Sequence, residues 1–179
     1  MFNFFIKKNN KKVSYKIYHS IVKQSRMPYF YKKYGVPDTP EGRFDLITIH
    51  AFLIFRRLKA ETKETIDLGQ EIFDLMFKDL EQNLREMGSG DLGVTKKIFA
   101  MAEALYGRIK VYEENLEDTQ LLEEALDRNL FHNTNPKGEQ KKLIANYIQQ
   151  EAARLANVDK KDLLAGNIFF NSPEDILNK

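Results

Sequence analysis

The sequence predicts an all-α fold, an irregular single-domain bundle of about six or seven helices. From about residue 40 onward nearly every segment repeats apolar residues at the helical period, and no stretch sustains the in-and-out alternation of a strand. No repeat of fixed length and no low-complexity tract stands out, so the helices form one bundle and not an array. A chain of 179 residues, 42% apolar and 30% charged, can bury one sizeable core.

The first 12 residues, MFNFFIKKNNKK, read as a basic, flexible N-terminal arm ahead of a helical domain over 13–179. Their few apolar residues precede the lysines and no small-residue cleavage site follows, the reverse of a secretory signal. Residues 13–26 carry Ile17, Tyr18, Ile21 and Val22 at helical spacing. Asp38-Thr39-Pro40-Glu41 then marks a helix start: a capping hydroxyl, a proline where no amide donor is needed, and an acid in the first turn. The helix it opens, to about Lys59, is apolar nearly all round (Phe44, Leu46, Ile47, Ile49, Phe52, Leu53, Ile54, Phe55, Leu58), which makes it the central one. Asp45, Thr48, His50, Arg56 and Arg57 break its apolar block, which falls short of the ~18 uninterrupted residues of a spanning helix.

Residues 65–87 place Leu68, Ile72, Leu75, Met76, Leu80, Leu84 and Met87 on one stripe. Residues 94–115 do the same with Val94, Ile98, Met101, Ala102, Leu105, Ile109 and Tyr112. A shorter helix covers 121–130. After the breaker Asn133-Thr134-Asn135-Pro136-Lys137-Gly138, residues 139–156 present Ile144, Tyr147, Ile148, Ala152 and Leu155. Gly166-Asn167 is a stop, Ile168-Phe169-Phe170 an apolar anchor, and Ser172-Pro173-Glu174-Asp175 begins a last short turn.

GSGDLG, residues 88–93, has the G-x-G-x-x-G spacing of a dinucleotide fingerprint. That fingerprint needs a strand before its first glycine, and here a long helix precedes it. A structural turn explains it better, with Gly88 closing one helix in the left-handed conformation, Ser89 or Asp91 capping the next, and Gly90 and Gly93 permitting a tight connection. No Gly-Lys-Ser or Gly-Lys-Thr occurs, so a P-loop is absent. His19, His50 and His132 have no metal-ligand spacing, and His50 reads as a hydrogen-bonded core histidine. Met76, Met87 and Met101 read as core filling. Without cysteine there is neither thiolate ligand nor thiol nucleophile. No catalytic, cofactor-binding or metal site is expected.

Charge is unevenly spread. Residues 1–37 hold nine basic side chains and no acidic one, leaving 19 basic against 26 acidic in the rest. The candidate binding residues are therefore Lys7, Lys8, Lys11, Lys12, Lys16, Lys23, Arg26, Tyr31, Lys32, Lys33, Tyr34 and, just beyond, Arg43. Interleaved with Tyr15, Tyr18, Tyr29 and Phe30, these cations suit either a phosphate backbone with stacked bases or an anionic lipid surface. Phe2, Phe4, Phe5 and Ile6 before Lys7 and Lys8 suit a weak membrane-surface anchor.

Three stretches together resemble one family: YGVPDTPEGRFDLITIH (34–50), DLEQNLREMGSGDLGVTKK (79–97) and MAEALYGRIKVYEENL (101–116). They are similar to the ubiquinol-cytochrome c chaperones, assembly factors for ubiquinol-cytochrome c reductase (complex III). REMGSGDLGV, with Gly88, Gly90, Asp91 and Gly93, is the most specific part. The resemblance covers roughly residues 18–155 and implies a helical, non-enzymatic chaperone that helps newly made cytochrome b reach the complex. It carries no active site. In mitochondrial members it also implies a small partner protein and a place near the ribosomal tunnel exit. Because the shared region starts near Tyr18, a bacterial member is expected, cytoplasmic or peripheral at the inner membrane, with the mitochondrial matrix less favoured. The alternative is an RNA- or ribosome-binding factor acting in translation through the basic segment. A carrier of a membrane protein also needs exposed apolar surface, for which Phe73, Phe77, Phe169 and Phe170 are the expected source.

Overall fold

The computed structural model describes residues 2–132 and 134–177, and the side chains of 11–132 and 134–175. Among these residues lie nine helical segments and no strand: α1 (Phe2–Ser25), α2 (Pro28–Lys32), α3 (Pro40–Lys59), α4 (Lys63–Glu86), α5 (Asp91–Asn115), α6 (Thr119–Asn129), α7 (Gly138–Ala156), α8 (Lys160–Ala165) and α9 (Pro173–Leu177). The six long ones are those of the periodic pattern, while α2, α8 and α9 are single turns of five or six residues. The helix of α1 begins at Phe2 and not at Val13. Lysines and asparagines over 7–12 leave no apolar stripe there, so periodicity had nothing to detect.

α3 is the hub. It packs against α1, α4, α5 and α7, and thirteen of its residues are buried. Its start is built as the sequence indicates: Thr39 Oγ1 accepts from the Gly42 amide at 3.1 Å, with Pro40 in the first turn. Gly42 is there for space. A Cβ at this position would stand 2.1 Å from the Pro37 carbonyl oxygen, so the preceding loop folds onto the first turn of α3 only over a glycine.

α4 and α5 form an antiparallel pair, with Phe73 and Tyr106, equally far from the turn, bringing their rings to 5.6 Å. Gly88 closes α4 at φ +85°, its amide donating to Arg85 O and that of Ser89 to Leu84 O, a Schellman motif. The rest of GSGDLG differs from expectation. Gly90 itself is the N-cap, without a side-chain hydrogen bond, and neither Ser89 nor Asp91 caps α5. The Asp91 carboxylate reaches back across the turn to Arg85, and the Ser89 hydroxyl accepts from Lys97 of α5, so both side chains are engaged elsewhere. Nothing crowds Gly90 or Gly93, so the connection is not tight there. Met87 lies exposed at the end of the stripe, past the point where α5 covers α4, whereas Met76 is fully buried.

Polar locks sit inside the bundle. His50 of α3 is fully buried and touches Leu46 O at 2.7 Å and Ser25 Oγ at 3.0 Å through Nδ1, and the Tyr147 hydroxyl of α7 at 2.9 Å through Nε2. Gln24 Nε2 donates to that hydroxyl at 3.0 Å and to Asn171 O at 2.7 Å, which ties the C-terminal segment to α1. Gly166, at φ +67°, ends α8 as expected, and Ile168 is buried while Phe169 is exposed.

Candidate interaction surfaces

The basic segment divides once folded. Lys7 and Lys8 lie outside the residues whose side chains are described. Lys11, Lys12 and Lys23 project from α1 and Lys33 from the end of α2, all exposed. Lys16 is tied down, donating from Nζ to Asn167 Oδ1 at 2.6 Å. Arg26, Tyr31, Lys32 and Arg43 come together, lining one cleft of about 780 Å³ with Asp38 and Ile47. Tyr34 is not a surface residue at all: it is fully buried, and its hydroxyl donates to Pro173 O at 2.9 Å.

The interleaved aromatics follow Tyr34 inward. Phe30 is fully buried against His50 and Tyr147, and Tyr18 is buried with its hydroxyl donating to Asp79 Oδ2 at 2.7 Å. Burial beside Asp79 holds the Tyr18 phenol well above its ordinary value. These rings build the core and leave no row on which bases stack; of those named, Tyr15 alone is largely exposed.

Apolar surface is found elsewhere than expected. Phe77 is buried, Phe73 partly covered, and Phe170 packs on His50 with ring centroids 5.0 Å apart, which leaves only Phe169 of the four exposed. The large exposed apolar side chains concentrate on α5: Leu92 at 90%, Phe99 at 70% and Tyr106 at 59%. Spaced seven apart, they share the helix face opposite Val94, Leu105 and Tyr112, which are buried. Tyr106 also opens into an apolar groove of about 740 Å³ between α5 and the end of α3, lined by Phe52, Phe55 and Ile109 and edged by the 3.1 Å Arg56–Glu113 pair. The heptad spacing is present in the sequence, but beside the inward stripe on the same helix it does not by itself mark an exposed face.

A buried charge pair links the helix that carries this face to α3. Asp45, 1% exposed on α3, pairs with Arg108 of α5 at 2.8 Å, and the guanidinium lies 5.5 Å from the centre of the Phe44 ring. Burial raises the Asp45 carboxyl to about 6, with Arg108 opposing the shift. The buried hydroxyls of Thr48 and Tyr112 have no hydrogen-bond partner among the described residues. Among the described residues no cluster of His, Asp and Glu has a metal-holding arrangement, and no helix is long and apolar enough to cross a membrane.

The sequence profile described as "Ubiquinol-cytochrome C chaperone" matches residues 32–170. The chain belongs to the ubiquinol-cytochrome C chaperone family. The crystal structure of the Cbp3 homolog from Brucella abortus superposes with a TM-score of 0.85 at 34% identity, covering 94% of this chain and 93% of that one. The ubiquinol-cytochrome-c reductase complex assembly factor 1 of Xenopus laevis is 27% identical over 75% of this chain and 68% of its own length. The mouse protein of the same title is 27% identical over 83% of this chain, which spans about half of that relative (51%). Within the chaperone family's matched region, Asp45 and Arg108 come from two separate resembling stretches, 34–50 and 101–116, so the buried pair joins them in space.

Proposed function

We propose that this chain is a non-enzymatic assembly chaperone that binds newly synthesised cytochrome b and promotes assembly of ubiquinol-cytochrome c reductase. The family supplies the assembly role, and one observation carries the binding mode: the exposed face of Leu92, Phe99 and Tyr106 running into the Phe55 groove. A membrane protein awaiting insertion presents apolar helices, and a carrier must cover them with surface it can afterwards give back to water. A rigid helix with apolar residues every seventh position offers such a surface, since a helix laid along it buries side chains at the same spacing. No catalysis enters this reading, and contact with a small partner protein or with the membrane surface is compatible with the exposed remainder.

The test places a photo-reactive residue at Phe99 in cells that make both proteins. Capture of cytochrome b from position 99, together with cytochrome b loss and persisting transcript in the deletion strain, supports the proposal. Normal complex III in the deletion strain refutes the role. Depleted complex without capture at 92, 99 or 106 refutes the surface.

A further inference from the structure

We propose that the cleft where α1, α2 and α3 meet is a binding site for a phosphate group, independent of the apolar face of α5. Three cations from three elements line it: Arg26 just past α1, Lys32 at the end of α2 and Arg43 in α3. Folding, not proximity in sequence, gathers them. One carboxylate, Asp38, lies with them, and it is already engaged, accepting from Arg43 Nε at 2.8 Å. That bond orients the Arg43 fork and leaves its two terminal nitrogens without a partner among the described residues. The Arg26 guanidinium and the Lys32 ammonium have no ion-pair or hydrogen-bond partner there either.

Gathering like charges is costly unless something neutralises them. With Asp38 set against Arg43, the cleft keeps two positive charges. A phosphate monoester carries about −1.5 to −2 at neutral pH and three strong acceptor oxygens, whereas a single carboxylate carries one charge. Arginine forks and a point-charge lysine are the donors that phosphate recognition uses. Tyr31 is held in place, its hydroxyl donating to Ser25 O at 2.8 Å, and with Ile47 it gives the cleft an apolar wall beside which the carbon substituent of an ester fits. Nucleic acid is the poorer match, because Phe30 and Tyr34, which would stack bases here, are buried. The ligand chemistry has two sources, free phosphate and a phospholipid headgroup.

The experiment uses the full chain. Backbone amide signals around Arg26, Lys32 and Arg43 are followed by NMR during titration with inorganic phosphate against chloride at matched ionic strength. In parallel, flotation is measured with phosphatidylcholine vesicles with and without phosphatidic acid. Saturable shifts confined to the cleft, weakened roughly fivefold by Arg26→Gln and again by Lys32→Gln but not by Lys96→Gln, support the site. Flotation dependent on phosphatidic acid and lost in the same variants supports it with lipid as the source; phosphate shifts without flotation support it with a free ligand. These are exposed side chains, and an unchanged melting temperature verifies that each variant folds. Absence of both responses overturns the proposal, as does polyglutamate or an RNA oligonucleotide occupying the cleft where phosphate does not.

Discussion

The hydroxyl of Tyr147 donates to Nε2 of His50 across 2.9 Å in the centre of the bundle, and this bond fixes the state of the whole network around it. Leu46 O can only accept, so Nδ1 carries the imidazole proton and Nε2 is the acceptor. Ser25 donates to Ile21 O and Gln24 donates to Tyr147, so every donor in the chain of bonds has a place to go while His50 is neutral. A second ring proton would face the Tyr147 hydroxyl with that donor displaced. Burial holds the imidazole down to about 4, the backbone bond to Leu46 opposing the shift.

Acid stability follows from this state. Between about 6.5 and 4 the unfolded chain binds a proton at His50 that the folded chain refuses, so stability is full above that window and falls as pH drops through it, by about 3 kcal/mol. Asp45 acts in the opposite sense. Its carboxyl, raised to about 6, binds a proton in the folded state that the unfolded chain has released, so its contribution is present at low pH and lost as pH rises from about 4 to 6. The two slopes oppose each other in the shared window. Denaturant unfolding across pH 4 to 7 should show a steeper acid loss in Asp45→Asn than in the parent, and a shallower one in His50→Gln. Parallel profiles for all three proteins would contradict the assignment.

Tyr147→Phe removes the donor and keeps the ring packing against Phe30. It leaves His50 Nε2 buried without a partner, so the expected loss is about 1–3 kcal/mol. Urea unfolding at neutral pH measures it, and a loss below experimental error would mean that the network contributes no stability.

The Asp45–Arg108 pair is tested by comparing single and paired substitutions. A raised carboxyl beside an arginine indicates that taking the charge out of water outweighs the attraction. Asp45→Ala or Arg108→Ala alone strands the partner and should cost about 3 kcal/mol, while Asp45→Leu with Arg108→Met should recover most of it. If the double variant stays as unstable as either single, the pair stabilises the fold outright and this view of its energetics is wrong.

The helices were legible because each long one carries a stripe at the helical period, and the start of α3 because Thr39-Pro40-Glu41 leaves little else to form. The surface was not. Composition marks Tyr31 and Tyr34 alike, yet Tyr34 turns inward because α9 supplies an acceptor 139 residues away, and no local pattern encodes that partner. Likewise the periodic stripe of Val94, Leu105 and Tyr112 is buried as its spacing indicates, but nothing in that pattern says that Leu92, Phe99 and Tyr106 on the opposite face stay uncovered. The cleft escaped for the same reason: Arg26 and Arg43 stand seventeen positions apart and meet only after α2 turns the chain.

Among the glycines, size and conformation predict different costs. Gly42→Ala drives a methyl into a backbone carbonyl and should destabilise by about 3 kcal/mol or more. Gly88→Ala meets only the left-handed backbone penalty, about 1 kcal/mol, with open space around it. Gly90→Ala, at negative φ and uncrowded, should change little for packing. Melting temperatures in the order Gly90→Ala above Gly88→Ala above Gly42→Ala are expected, and a Gly90→Ala protein as unstable as Gly42→Ala would show that the GSGDLG turn is packed more tightly than its geometry indicates.

The apolar face of α5 separates binding from folding, because the residues that form it contribute little to the core. Leu92→Ser and Phe99→Ser remove exposed side chains and should shift stability by no more than about 0.5 kcal/mol. Gly107→Ala, in the interior of the same helix and uncrowded, should instead stabilise by about 0.5–1 kcal/mol. A carrier surface therefore predicts a dissociation: the serine variants melt with the parent but lose captured cytochrome b, while a core role predicts that capture and melting temperature fall together. Full capture in a Leu92→Ser, Phe99→Ser protein of parental stability would move the binding surface off α5.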